Sequence, residues 1–218
     1  MMFDVESARH QMIEQQVRAW DVLDLAVLAA LERVRREEFV PPAYRDIAFA
    51  DMNVPLGHGQ SMLAPKVEGR ILQALAVQPG DRALEVGTGS GFFAACLGQL
   101  ARTVRSIDLF ADFVATATAN LRRAGAHNVR AETLDAMHLA EEGAYDVIAL
   151  TGSLPVYDPR FERALAVGGR LFAVVGEGPI MEARRVTRAG PAEYVRESLF
   201  EVSIDPLIHA PEPPRFVF

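Results

Sequence analysis

The sequence predicts an α/β fold: a central, mostly parallel sheet with helices on both faces, N-terminal helices before it and antiparallel strands at its C-terminal edge. Three observations carry this expectation. Short apolar runs alternate with helix-like segments across residues 83–175. The glycine-rich stretch ALEVGTGSGF, residues 83–92, joins the first of these runs to an alanine-rich helix. Two further runs end in an acid, at Asp108 and Asp135.

In chain order, residues 5–20 read as a helix, with Met12, Ile13, Gln16 and Val17 at near-helical spacing. Asp24 is placed to cap a second helix over 25–36, where Leu28, Leu31 and Val34 form one stripe. It should stop near Glu38, because Pro41 and Pro42 cannot continue it. Residues 43–65 show no period and read as a long loop, of the kind that is usually functional. Pro65 then suits the first turn of a helix whose inner face is Val67, Ile71, Leu72 and Leu75. Pro79-Gly80 turns the chain into the strand that ends at the glycines.

Helix over 91–100, strand over 103–108, helix over 110–124 and strand over 129–133 follow. A short helix near 135–139 precedes a strand over 145–150, which runs into Thr151-Gly152-Ser153-Leu154-Pro155. A helix over 159–165, a turn at Gly168-Gly169 and a strand over 170–175 complete the alternation. Residues 183–187 and 194–201 read as the antiparallel edge.

The length of 218 residues suits one domain, divided here into 1–80, 81–176 and 177–218. Half the residues are hydrophobic and 23% are charged, a soluble globular composition. A net charge of −7 without a basic stripe argues against nucleic acid as a partner. The single cysteine, Cys96, excludes an intrachain disulfide and fits a reducing, cytoplasmic compartment. The N-terminus lacks the pattern of a secretory signal, and no apolar run approaches the ~20 residues of a membrane span. The five histidines lack metal-ligand spacing, so no metal is expected.

Chemistry enters at the glycines. A dinucleotide fingerprint reads G-x-G-x-x-G, whereas here Gly87, Gly89 and Gly91 follow G-x-G-x-G, with Glu85 two residues before. A carboxylate there would repel a pyrophosphate and suit a cationic ligand. The pattern resembles the first motif of S-adenosylmethionine-dependent methyltransferases with a Rossmann-like fold. That resemblance implies a cofactor site made of Glu85, Gly87, Thr88, Gly89 and Gly91. Asp108, about 20 residues further on, would accept from the ribose hydroxyls, with Leu109 beside it. Asp135 and Ala136 would lie by the adenine.

Four stretches together, Pro55 to Ser61 (PLGHGQS), the Glu85 motif, Asp146 to Pro155, and Gly168-Gly169-Arg170-Leu171, resemble the protein-L-isoaspartate O-methyltransferase family. The match runs over most of the chain, and the glycine-flanked Gln-Ser loop is its most specific mark. The resemblance implies methyl transfer from S-adenosylmethionine to the α-carboxylate of isoaspartyl residues in damaged proteins or peptides. Gln60 and Ser61 are then the catalytic candidates. His58, Gln60, Ser61, Leu63, Thr151, Gly152 and Ser153 are the candidate substrate contacts.

The chain departs from the family at Leu63, which stands where a catalytic serine is usual, and at Ala136, where glycine is common. Restoring the hydroxyl with Leu63→Ser is expected to raise activity on an isoaspartyl peptide. Two other readings stay open: a methyltransferase of this lineage acting on another carboxylate, and a non-catalytic module that binds the cofactor. A nicotinamide oxidoreductase is disfavoured by Glu85 and the glycine spacing. The proline-rich tail places Phe216 and Phe218 as docking groups on this domain or on another subunit. Oligomeric state is not readable.

Overall fold

The computed structural model describes residues 4–213, so the reading of Phe216 and Phe218 lies outside the described residues. Helix α1 (Val5–Met12) is capped by Asp4, whose Oδ1 accepts from the backbone N–H of Glu6 and Ser7. It continues through a π-turn and a short 3₁₀ turn to Trp20, so the expected single helix is present with two changes of winding. Asp24 caps α2 (Leu25–Arg33) through Ala26 and Val27, as expected. That helix ends at Arg33, three residues early; Val34 turns extended (φ −81°, ψ 111°), and Arg36 is carried into the core.

The loop expected over 43–65 is more ordered than its sequence suggests. A 3₁₀ segment covers Pro42–Ile47. A hairpin of β1 (Val54–Gly57) and β2 (Gln60–Met62) follows, with Val54 opposite Met62 and Pro55 opposite Ser61. Its two-residue turn has His58 at φ 52° and Gly59 at φ 70°, the positive values of a type I′ turn. Such a turn strongly prefers Asn-Gly or Asp-Gly, which is why His-Gly gave no hairpin signal. Asn53 closes the base by accepting from the N–H of Ala64 at 2.9 Å.

Helix α3 (Pro65–Leu75) has Pro65 in its first turn and buries Val67, Ile71, Leu72 and Leu75. The main sheet runs β5 (Val129–Thr133), β4 (Thr103–Asp108), β3 (Arg82–Val86), β6 (Tyr145–Leu154), β7 (Leu165–Val175), β8 (Met181–Gly190), β9 (Glu193–Val202). The first five of these are parallel to one another, and β8 and β9 are antiparallel additions. Strand β6 continues four residues past its expected end. Strand β7 begins before Gly168-Gly169, which form a bulge inside it rather than a turn before it: Tyr145 pairs with Leu165, but Val147 pairs with Arg170.

Helices α4 (Phe92–Leu100) and α5 (Ala111–Arg123) fill the connections after β3 and β4, and a four-residue helix, α6 (Arg160–Arg163), precedes β7. One apolar cluster joins the N-terminal helices, α3, α4 and one face of the sheet; a second, around Leu84, Ile148, Phe161 and Leu171, fills the other face. The chain leaves β3 in one direction to build β4 and β5, then returns to lay β6 on its other side. A crevice opens at such a switch point, outside the carboxyl ends of the strands.

Candidate active site

The glycine loop occupies that crevice. After Val86 the backbone turns with Gly87 at φ 102° and Gly91 at φ 86°, values that L side chains rarely adopt. Space demands glycine as well: a Cβ on Gly87 would sit 2.3 Å from the Thr151 hydroxyl. Thr151 itself donates to the carbonyls of Val86 or Gly87, both 2.9 Å away, and so braces the loop from β6. Asn120 on α5 holds the loop from behind by donating to the Ser90 carbonyl at 2.9 Å.

Glu85 is fully buried at the end of β3. Its register partner on β4 is Ser106, whose hydroxyl donates to Oε2 at 2.5 Å, while Thr88 lies 2.6 Å from the same hydroxyl. The other oxygen, Oε1, has no partner among the described residues. Burial pushes the Glu85 carboxyl well above the usual range; Ser106 pulls it back, and the nearby acids Asp108 and Glu68 push it further. A cavity of about 30 Å³ between Ser61, Leu63, Glu68, Glu85 and Ser90 has room for a group the size of water or an ammonium.

Asp108 ends β4. One oxygen accepts from the N–H of Gly89 at 2.9 Å, the other from the N–H of Phe110 at 3.0 Å. Phe110, not Asp108, occupies the N-cap position of α5. Burial raises the Asp108 carboxyl and those two N–H groups restrain it. Each oxygen keeps acceptor capacity beyond these bonds, and Asp108 lines the pocket.

The outer pocket is lined by Gln60 and Ser61 of the hairpin, Gly87 and Gly89, Asp108 and Leu109, Asp135 and Ala136, Thr151 and Gly152. The structure thus brings together most of the expected residues. Leu63 is instead buried under the hairpin, 5% exposed, at the wall of the inner cavity. Ser153 faces neither cavity: it is fully buried, donating to the Ile204 carbonyl at 3.3 Å. His58 stacks on Phe110 with ring centres 4.0 Å apart and pairs with Asp112 at 3.0 Å, docking the hairpin tip on the start of α5.

Several partners escaped sequence reasoning. The segment after β9 crosses the pocket: Ser153 pairs with Pro206, Leu207 and Ile208 line the wall, and Gln60 Nε2 lies 3.5 Å from the Pro206 carbonyl. His209 Nδ1 is 2.8 Å from Asp135 Oδ2. Nothing local in Ile204-Asp205-Pro206-Leu207 predicts what it touches.

The family model described as protein-L-isoaspartate(D-aspartate) O-methyltransferase matches residues 7–210. The chain belongs to that family. A protein-L-isoaspartate O-methyltransferase of Koribacter versatilis is 36% identical over 201 residues, covering 92% of this chain and 90% of that protein. The one from Methanospirillum hungatei is also 36% identical over 201 residues, covering 92% and 93%. Among solved structures, a Plasmodium falciparum protein described as a protein-L-isoaspartate O-methyltransferase in complex with S-adenosyl-L-homocysteine superposes with a TM-score of 0.78. It is 21% identical, covering 91% of this chain and 97% of that one, and so supports the fold.

Among the described residues there is no group of three histidine, cysteine or acidic side chains that could hold a metal, and no helix long and apolar enough to cross a membrane.

Proposed function

We propose that this protein methylates the α-carboxylate of L-isoaspartyl residues in damaged proteins and peptides, using S-adenosylmethionine, as a repair methyltransferase. Family membership over residues 7–210 is the observation that carries the reading. The site fits the donor: an unpartnered buried carboxylate oxygen beside a cavity of ammonium size, and a glycine bend with no Cβ in the way.

In this reading Glu85 would hold the donor's amino group, the Gly87–Gly91 backbone would leave room for it, and Asp108 would accept from its ribose hydroxyls. Asp135, Leu109 and Ala136, which line the same pocket, would border the adenine. S-adenosylmethionine, when bound, supplies an electrophilic methyl group. The acceptor carboxyl, with an ordinary pKa near 4, is already an anion at neutral pH, so the protein need supply no strong base. Its task is alignment and exclusion of water. Gln60 and Ser61, presented by the hairpin at the pocket wall, are suited to orient the carboxylate, with Gly152 and Thr151 opposite.

The three parts of the chain divide the labour: 1–80 carries the acceptor hairpin, 81–176 the donor site, 177–218 the edge strands and the crossing segment. A cytoplasmic location rests on the composition and the single buried thiol at Cys96. Incubation with tritiated donor and an isoaspartyl peptide, beside its aspartyl twin, tests the reading. Base-labile label in the isoaspartyl peptide alone is expected. Donor binding without label in either peptide would shift the acceptor to another carboxylate.

A further inference from the structure

Arg36 and Glu68 form a buried ion pair that the methyl-transfer chemistry leaves unused. Arg36 is fully buried and Glu68 is 2% exposed. The guanidinium divides its donors among three segments: Nη1 to the Glu68 carboxylate on α3, Nε to the Ala48 carbonyl at 2.9 Å, and Nη2 to the Leu63 carbonyl at 2.7 Å. Its plane also lies 5.0 Å from the centre of the Phe92 ring, at the start of α4.

The placement of those carbonyls matters. Ala48 precedes β1 and Leu63 follows β2 directly, so one cation grips the chain on both sides of the hairpin that carries Gln60 and Ser61. Phe92 follows the glycine loop, so the same group also touches the donor side. Glu68 lines the inner cavity with Ser61, Leu63 and Glu85. A buried guanidinium without a counter-charge would be costly, and Glu68 supplies that charge from a helix rather than from a loop.

We propose that the Arg36–Glu68 pair is a positioning device for the acceptor: Glu68 holds the Arg36 fork, and the fork fixes the hairpin so that Gln60 and Ser61 stand over the glycine loop. The proposal rests on the repair-methyltransferase reading for its kinetic readout. Neither residue touches the reacting atoms; both act through the hairpin.

The charged and titratable groups facing Glu68 are Arg36, Glu85 across the cavity and Cys96 from α4, with Asp108 behind Glu85. Burial pushes Glu68 up to about 7 against the pull of Arg36. The Cys96 thiol, pushed far up by burial, stays neutral in this range. The grip therefore tightens as pH rises through neutrality and Glu68 ionises.

The experiment compares wild type, Glu68→Gln and Arg36→Lys in the full chain. Glutamine keeps shape and one acceptor but no charge; lysine keeps charge but cannot reach three partners at once. The readouts are kcat/KM for an isoaspartyl peptide across pH and amide hydrogen exchange in residues 54–62. The acidic limb that wild type shows near neutrality should change in E68Q, which keeps Glu85 but has lost the Glu68 titration. Both variants should lose about tenfold in kcat/KM at alkaline pH, since small misplacement of an orienting group is costly. Exchange in the hairpin should quicken in both.

Wild-type kinetics in E68Q would overturn the proposal. So would an activity loss that tracks melting temperature while the acidic limb and the hairpin exchange stay as in wild type. Should E68Q not fold, R36K answers the same questions. If the wild type labels no isoaspartyl peptide, the repair reading falls. Hairpin exchange then decides alone, faster exchange in the variants supporting the grip and unchanged exchange refuting it.

Discussion

Ser106 donates to Oε2 of Glu85 at 2.5 Å, while Oε1 of the same carboxylate is buried without a partner among the described residues. The protein thus keeps half of a buried acid unsatisfied at the end of its central strand. Such a group costs stability in the free protein and is suited to a cationic visitor.

Glu85→Gln should therefore raise stability and weaken donor binding together. The sign follows from the raised carboxyl: ionising it becomes costly as pH climbs from the ordinary glutamate range near 4.3. The melting-temperature advantage of E85Q over wild type should widen as pH climbs above the ordinary glutamate range, where the unfolded chain ionises and the buried acid, held up by desolvation, does not. Calorimetry with S-adenosyl-L-homocysteine should show at least about tenfold weaker binding, the scale of one lost charge-assisted hydrogen bond. A variant that binds as tightly as wild type would remove Glu85 from the site.

Gly87→Ala meets both a positive φ and the Thr151 hydroxyl. The expected cost is about 2–4 kcal/mol in urea unfolding, from left-handed strain plus overpacking. Adding Thr151→Ala should recover only the overpacking share. Full recovery by the double variant would mean that backbone strain is not at issue.

Leu63→Ser sets two effects against each other. Removing a buried leucine side chain should lower stability by about 2–5 kcal/mol. The new hydroxyl would face the cavity shared by Ser61, Glu68 and Glu85, and kcat/KM on isoaspartyl peptide at low temperature should rise. A folded variant with unchanged or reduced kcat/KM would show that position 63 does not reach the acceptor.

His209→Ala should free the segment that crosses the pocket. His209 is 59% exposed, so the contact with Asp135 is worth less than about 1 kcal/mol. The sensitive readout is local: faster limited proteolysis near residues 204–210 with an almost unchanged melting temperature. Burial alone would raise the Asp135 carboxyl, but the Met137 N–H and His209 outweigh it and leave it below the ordinary range. Its stabilising share is therefore present above about pH 4 and lost as pH falls through the lowered value. Asp135→Asn should abolish that acid dependence.

Much of the scaffold was legible because period and punctuation coincide. Asp24 capping α2, Pro65 opening α3 and the stripe Val67, Ile71, Leu72, Leu75 are local signals, and they decide local structure. The hairpin was not legible: its strands are four and three residues long, and its turn puts a histidine at positive φ. Glu85 and Asp108 were visible by their spacing from the glycines. Ser106 was not, because its role depends on the register of β4 against β3, which no run of sequence states. The contacts of Ser153 and His209 come from a segment some 50 residues further along in one case and over 70 back in the other, beyond any local pattern.

Two distant pieces of chain line the crevice, the β1–β2 hairpin and residues 207–208, and they meet where Gln60 approaches the Pro206 carbonyl. A hairpin that positions an acceptor peptide would therefore also cover the nucleoside pocket. A peptide seated on Gln60 and Ser61 would lie over the nucleoside pocket, so product-inhibition kinetics should read as ordered, with the nucleoside entering before the peptide.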